Sequence, residues 1–283
     1  PYQSFELRVK KVDCKSPSAE KDFVTSLRDS GFAVLSNHPI SQTLISDAYR
    51  DWQAFFKSDE KHAHTFDVKV QAGYFPFRSE NAKDYQIKDL KEFYHYYPTR
   101  MALPKSTEAS TKALYAALVG LGTELLGWIE RNTSKEVRFL MPLQQMIQKS
   151  EETVLRILHY PPLQGVEEQG AVRAAAHEDI NLITLLPAAT APGLQVKDLE
   201  GKWHTVPCDP GTIVINSGDM LKEASQGFYP STTHRVVNPS GPEAANSRYS
   251  MPLFLHPHRD APLSERYTGG SYLDQRLREI GLK

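Results

Sequence analysis

Apolar and polar positions divide this 283-residue chain into two textures. In the first half, apolar residues recur at helical spacing. The stretch SAEKDFVTSLRDSG (18–31) keeps them on one face and stops at Gly31, a residue suited to the left-handed turn that ends helices. FAVLSNHPI (32–40) reads as a short strand leaving into an Asn-His-Pro turn. The segment 41–58 sets Leu44, Ile45, Ala48, Trp52, Phe55 and Phe56 on one face of a second helix. A longer helix is predicted over about 107–131 and another over about 134–149.

After residue 150 the period changes. TVLRILHYPP, INLITLLP, GLQVKD, KWHTVPC, GTIVINSG, TTHRVVNP and SRYSMPLFLHP are short β-rich runs separated by Gly, Pro, Asn or Asp. Such spacing fits a sandwich or jelly roll, not alternating βα units. DLEGKW reads as a hairpin turn, and the tail YLDQRLREIGLK returns to helix. With no internal repeat or long linker, the helices are expected to pack on the sheet as one domain, 1–283. Its parts are a helix-rich segment 1–150, a β core 151–260 and a helical tail 261–283. The fold class predicted is mixed α+β and β-rich.

Composition narrows the function by exclusion. A formal charge of −1 gives no support for a nucleic-acid or membrane-surface partner. No apolar stretch approaches the roughly 20 residues of a membrane helix. The N-terminus has no basic region before an apolar core, so no signal peptide is expected. Cys14 and Cys208 form no metal or redox spacing and read as ordinary thiols of a reducing compartment. A cytoplasmic protein is the expectation.

The chemistry concentrates near AAHEDINLITLLP. Residues i and i+2 of a strand share a face, so His177 and Asp179 are expected to point together, with Glu178 away. An imidazole and a carboxylate supply two corners of a metal site, and a third ligand must come from elsewhere. The spacing alone is weak, because chance predicts about one His-x-acid pair in this composition and the chain has a second, His258 and Asp260. Order separates them: His177 is followed 57 residues later by His234 in a β-run, whereas no histidine follows His258, which reads as surface loop. Two histidines and one carboxylate would make a facial triad with open coordination positions. Farther on, RYS places Arg248 and Ser250 on one strand face. An arginine in an apolar strand is costly to bury without an anion, and its planar fork suits a carboxylate. That anion could be a ligand or an internal Asp or Glu.

Taken in order, HEDINLITLLP, GLQV, GKWHTVPCDPGTIVINSGDML, YPSTTHRVVNP and RYSMPLFLHP resemble the iron(II)- and 2-oxoglutarate-dependent oxygenases of the isopenicillin N synthase-like family. So do GFAVLSNHPI, the FF of DWQAFFKSDEK, GYFPF and DLKEFY before them. The resemblance implies a distorted double-stranded β-helix (jelly roll) core flanked by N- and C-terminal helices. It also implies Fe(II) held by His177, Asp179 and His234, and 2-oxoglutarate chelating that iron through its keto acid end. Arg248, Ser250 and Tyr160 would hold the distal carboxylate. Leu158 stands where many members have Asn, which puts one cosubstrate hydrogen bond in doubt. The implied reaction uses O2 to oxidise a small molecule, most commonly by hydroxylation, with release of succinate and CO2. Desaturation and ring closure start from the same hydrogen abstraction.

Two alternatives remain at this point. One is a 2-oxoglutarate-independent oxidase like isopenicillin N synthase, although this chain ends REIGLK where that enzyme has a C-terminal glutamine. The other is a non-catalytic β-barrel binding protein whose triad holds a metal such as zinc, against which the Arg248–Ser250 pair argues. Among other residues, His159 would face away from Tyr160 and is expected to be structural. His62 and His64 read as exposed, His95 as a candidate for the substrate pocket, and Phe93, Tyr94, Tyr96 and Tyr97 as sheet packing. Asn216, Gly218 and Asp219 read as a scaffold turn in which the glycine permits an unusual backbone angle. Pocket walls are expected from the N-terminal helices, the segment 73–86 and the tail.

Overall fold

The helices follow from the apolar faces described above. Helix α1 (Ala19–Ser30) ends at Gly31 in the left-handed conformation, φ 78°. Helix α2 (Gln42–Lys57) starts at Ser41, whose hydroxyl accepts from the Leu44 amide, and buries Ile45, Ala48, Trp52, Phe55 and Phe56. Helix α3 (Glu108–Arg131) is the long core helix, tied to α2 where Trp52 Nε1 donates to Thr111 Oγ1 at 2.8 Å. One-turn helix α4 (Leu143–Met146), α5 (Asp219–Ala224) and α6 (Gly269–Glu279) complete the set. The computed structural model describes residues 9–281, so the residues bearing on a signal peptide, 1–8, lie outside the described residues.

Two helical expectations change. Only α4 forms within 134–149, because Pro142 lacks an amide proton and forces the preceding residue out of helical geometry. The segment Lys105–Arg131 is also long and apolar enough to cross a membrane by length and composition, contrary to the expectation that no stretch comes near it. Half of its most apolar window is buried within the fold. Leu114, Leu118, Leu121 and Leu125 are buried in the main core, and Gly122 lets the helix approach the sheet. A Cβ there would meet Leu255 Cδ2 at 2.7 Å.

The strands are β1 (Lys11–Asp13), β2 (Phe32–Ser36), β3 (Gly73–Phe75), β4 (Glu92–Tyr96), β5 (Val154–Tyr160), β6 (Ala174–His177) and β7 (Ile183–Pro187). They continue as β8 (Leu194–Lys197), β9 (Trp203–Thr205), β10 (Ile213–Ser217), β11 (His234–Val236), β12 (Arg248–Ser250) and β13 (Leu253–Leu255). The larger sheet runs β1-β2-β10-β7-β13-β5-β4-β3, with β12 also paired to β5. The smaller runs β6-β11-β8-β9. All pairs are antiparallel except β1 with β2. This is the jelly-roll core expected, and the DLEGKW hairpin joins β8 to β9. Four strands, β1–β4, come from the part read as helix-rich.

Alternation along β5 separates two interiors. Leu155 and Ile157 pack into the helix-side core, while Leu158 and Tyr160 face the cavity between sheets with Phe75, Phe93, Ala174 and Val236. On the helix side His159 is structural, as expected. Its Nδ1 donates to Glu92 Oε2 at 2.6 Å, its Nε2 meets Ser247 Oγ at 2.9 Å, and it stacks on Tyr249. Glu92 Oε1 also accepts from Tyr74 Oη at 2.5 Å and Lys61 Nζ at 2.9 Å. Both oxygens of this buried carboxylate are thereby engaged.

Candidate metal centre

The smaller sheet brings the two histidines together. Register pairs His234 with His177 across β11 and β6, and their rings lie 4.4 Å apart. Asp179 arrives differently from the expectation. Strand β6 ends at His177, so Asp179 is not a strand neighbour but sits in the connection that crosses to β7 in the other sheet. That connection is held by backbone bonds: Asp219 N donates to Asp179 O at 2.8 Å and Gly218 N to Leu182 O at 3.0 Å. Gly218 has φ −108° and ψ 179°, ordinary extended backbone, which corrects the reading of an unusual angle. Its requirement is space, since a Cβ would lie 2.2 Å from Asn181 O.

Asp179 Oδ1 lies 3.3 Å from His234 Nε2 and 3.7 Å from His177 Nε2. One ligand atom from each of the three falls within 4.8 Å of the others. The remaining polar atoms of each side chain are fixed by partners. His177 Nδ1 bonds to Ala175 O at 2.8 Å and His234 Nδ1 to Thr232 O at 3.0 Å, which leaves both Nε2 lone pairs facing the gap. Asp179 Oδ2 accepts from Thr184 Oγ1 at 2.6 Å and Asn216 Nδ2 at 2.8 Å, leaving Oδ1 for the gap. Phe32 packs edge-on against His234.

The three side chains are electrostatically coupled: burial lowers the His234 imidazole, but the Asp179 carboxylate outweighs burial and pushes that imidazole up. Burial alone would raise the Asp179 carboxyl, but the adjacent His234 imidazole, then His177 and Thr184, hold it well below the usual range. Burial and the neighbouring His234 push His177 down, so that ring is neutral at pH 7. His258 and Asp260 do not join the group.

Arg248 lies on β12 opposite Tyr160, and Ser250 opposite Leu158. Both Arg248 and Ser250 are buried. Among the described residues Arg248 makes no ion pair with Asp or Glu within 4.0 Å, which disposes of the internal-salt-bridge reading. Its Nε donates to Ala191 O at 3.0 Å, while Nη1 is buried without a partner. The guanidinium also stands 5.4 Å from the Tyr160 ring centroid and borders a recess lined by Leu186, Leu194, Val206 and Val214. A buried donor of this kind needs an acceptor. The recess is lined chiefly by apolar side chains, with the Arg248 guanidinium on its wall.

The other candidates are accounted for within the fold. His95 is buried, with Nδ1 on Gln71 O and Nε2 accepting from Arg156 Nε, both at 2.9 Å. His62 is exposed, but His64 is partly covered against Phe55. The sequence reading missed Thr184 altogether and took Asn216 for scaffold only. Their signal was a polar side chain inside an apolar strand run, which burial permits only with a partner.

Residues 151–257 match the family described as the 2OG-Fe(II) oxygenase superfamily. Residues 9–115 match the non-haem dioxygenase in morphine synthesis N-terminal family. A solved Shewanella oneidensis protein, described as an oxygenase, is 51% identical, with 97% of this chain and 99% of that one covered and a TM-score of 0.88. A Caulobacter crescentus protein described as of the 2OG-Fe(II) oxygenase family is 31% identical over 96% of this chain and 99% of its own, with a TM-score of 0.81. A curated relative, a 2-oxoglutarate-Fe(II) type oxidoreductase of Aspergillus fumigatus, is 35% identical over 142 residues. That alignment takes in 50% of this chain and only 40% of the relative's length. With both halves matched in order around a His-Asp-His group, the chain belongs to the Fe(II)- and 2-oxoglutarate-dependent oxygenases and is an oxidoreductase of that family.

Proposed function

We propose that the protein hydroxylates a small-molecule substrate, with His177, Asp179 and His234 as the iron ligands and Arg248, Ser250 and Tyr160 as the cosubstrate clamp. Iron(II) held by these ligands, with 2-oxoglutarate and O2, would supply the oxidising power, the keto acid being converted to succinate and CO2. A set of two histidines and one carboxylate would leave open positions on the metal for keto acid and oxygen. The chain's own work is positional. Thr184 and Asn216 aim the Asp179 oxygen, and Ala175 and Thr232 carbonyls aim the two imidazoles. Arg248 would meet the distal carboxylate through its free Nη1, with the Ser250 hydroxyl beside it. Leu158 offers no hydrogen bond, so the clamp would rest on Arg248, Ser250 and Tyr160 alone.

The observation that carries this reading is the buried Arg248 with no carboxylate partner, in a fold whose smaller sheet brings the triad together. It disfavours a binding protein with a merely structural metal, which needs no anion clamp. The same reading takes 1–283 as one domain, supported by β2 pairing with β10 and β4 with β5. It takes the protein as a cytoplasmic monomer, the compartment being supported by Cys14 and Cys208 as free thiols.

The test is a titration of 2-oxoglutarate into the anaerobic Fe(II) protein, followed by a metabolite screen for substrate-stimulated succinate release. A visible charge-transfer band that saturates with 2-oxoglutarate is expected. Metal-loaded protein that shows no band at millimolar cosubstrate would move the assignment to the oxidase.

A further inference from the structure

Arg173 precedes β6 and is 1% exposed, among the largest fully buried side chains of the molecule. Among the described residues no Asp or Glu oxygen lies within ion-pair distance of it. Its Nη2 donates to Pro161 O at 3.0 Å and Asn246 O at 2.9 Å, and its Nε has no partner. These two carbonyls mark a particular place. Pro161 follows Tyr160, Asn246 comes two residues before Arg248, and Tyr160 and Arg248 are register partners. The guanidinium therefore lies across the end of the very ladder that carries the cosubstrate clamp. The main chain at Arg173 is held by Asn238, which accepts from the Arg173 backbone amide at 2.8 Å and donates to Ala171 O at 2.9 Å.

A neutral donor would serve to bridge two carbonyls, so the charge needs its own explanation. Burying one guanidinium without a carboxylate is unfavourable, and a second beside it is more so. The two do sense one another: burial, then the Arg248 charge, push Arg173 below the usual arginine range. An anion drawn into the recess offsets both.

We propose that Arg173 is a specificity-determining residue for the cosubstrate, a second buried cation behind the clamp that favours keto acids bearing a distal carboxylate. It would act through its field, without touching the ligand. The proposal rests on the clamp assignment above. A strut that only joined two strand ends would instead affect all keto acids alike.

The experiment compares wild type with Arg173→Gln, which keeps an amide donor but no charge, and Arg173→Lys, which keeps the charge. Affinities for 2-oxoglutarate and for 2-oxovalerate, the same carbon chain without the distal carboxylate, are measured calorimetrically on Mn(II)-loaded protein. Arg173→Gln should weaken 2-oxoglutarate tenfold or more and 2-oxovalerate less than twofold, while Arg173→Lys recovers most of the loss. Equal changes for both ligands, no change for either, or a Lys variant no better than Gln would overturn the proposal. If Gln does not fold, Arg173→Met, which fills similar space without charge, takes its place: it should lose discrimination between the two acids while Arg173→Lys keeps it, and a Met variant that discriminates as well as wild type would overturn the proposal. A wild type that fails to prefer 2-oxoglutarate would sink the clamp assignment itself, a result separable from any effect of Arg173.

Discussion

Replacing Asn216 by Leu should loosen the metal site without touching a ligand. Asn216 and Thr184 face each other across β10 and β7, and both donate to the same oxygen of Asp179. Both donors and the carboxylate are buried, so water cannot replace what is removed. A hydrogen bond to a charged group contributes about 1.5–3 kcal/mol. Losing an outer partner of a metal ligand typically reduces metal affinity about 10–100-fold, the same range at 1.4 kcal/mol per tenfold. The variant is therefore expected to bind Mn(II) or Fe(II) about 10–100-fold more weakly, as read by competition with a chromophoric chelator. Its affinity for 2-oxoglutarate at saturating metal should stay near that of wild type. Thr184→Val should give a similar loss, and the double variant less than the sum, because both act on one oxygen. Asn216→Asp should be worse than Leu, since it sets a second carboxylate against the first. A folded Asn216→Leu protein with metal affinity within twofold of wild type would falsify the idea that this amide orients Asp179.

Three further expectations follow from the same geometry. His177→Ala or His234→Ala should abolish stoichiometric Fe(II) binding and turnover, whereas His258→Ala should keep both. Arg248→Ala should weaken 2-oxoglutarate about 30-fold or more, the lower part of the 2–5 kcal/mol seen for truncated buried charge pairs. Lys should restore only part of this and Ser250→Ala should lose less, with metal affinity unchanged throughout. Burial pushes the Glu92 carboxyl up, but hydrogen bonds from His159, Tyr74 and Lys61 outweigh it and leave it below the ordinary range. A depressed folded value contributes stability that is full above the unfolded value, about 4.3, and is lost as pH falls through the folded one. Thermal midpoints should therefore hold from pH 7 to about 5 and fall below about pH 4. This acid loss should be smaller in Glu92→Gln, which is itself less stable at pH 7.

The triad was legible because its order survives any uncertainty about strands: His177, Asp179 and His234 are close only if the chain returns to the same sheet. Arg248 and Ser250 were legible because an arginine in an apolar run demands an explanation. What local pattern could not carry was pairing between distant segments. The strand alternation invoked for Asp179 ends at His177, yet the carboxylate arrives because residues 179–182 are tied to 218–220. Glycine at 218 signalled a backbone angle when the cause was a carbonyl from Asn181. Apolar content over 134–149 promised a helix that Pro142 limits to one turn. Arg173 carried no motif at all, and only its burial gives it meaning.

Each imidazole of the triad is oriented by a carbonyl two residues upstream, Ala175 for His177 and Thr232 for His234. Main-chain oxygens do this work, so no side chain at 175 or 232 encodes the tautomer. The protonation pattern of the site is thus robust to point substitution at those positions. It is instead vulnerable to slippage. A one-residue insertion or deletion near the irregularity between His234 and Val236 would turn both imidazole and carbonyl to the wrong face. Drift in this centre is therefore expected to be tolerant of residue identity beside the histidines and intolerant of changes in length.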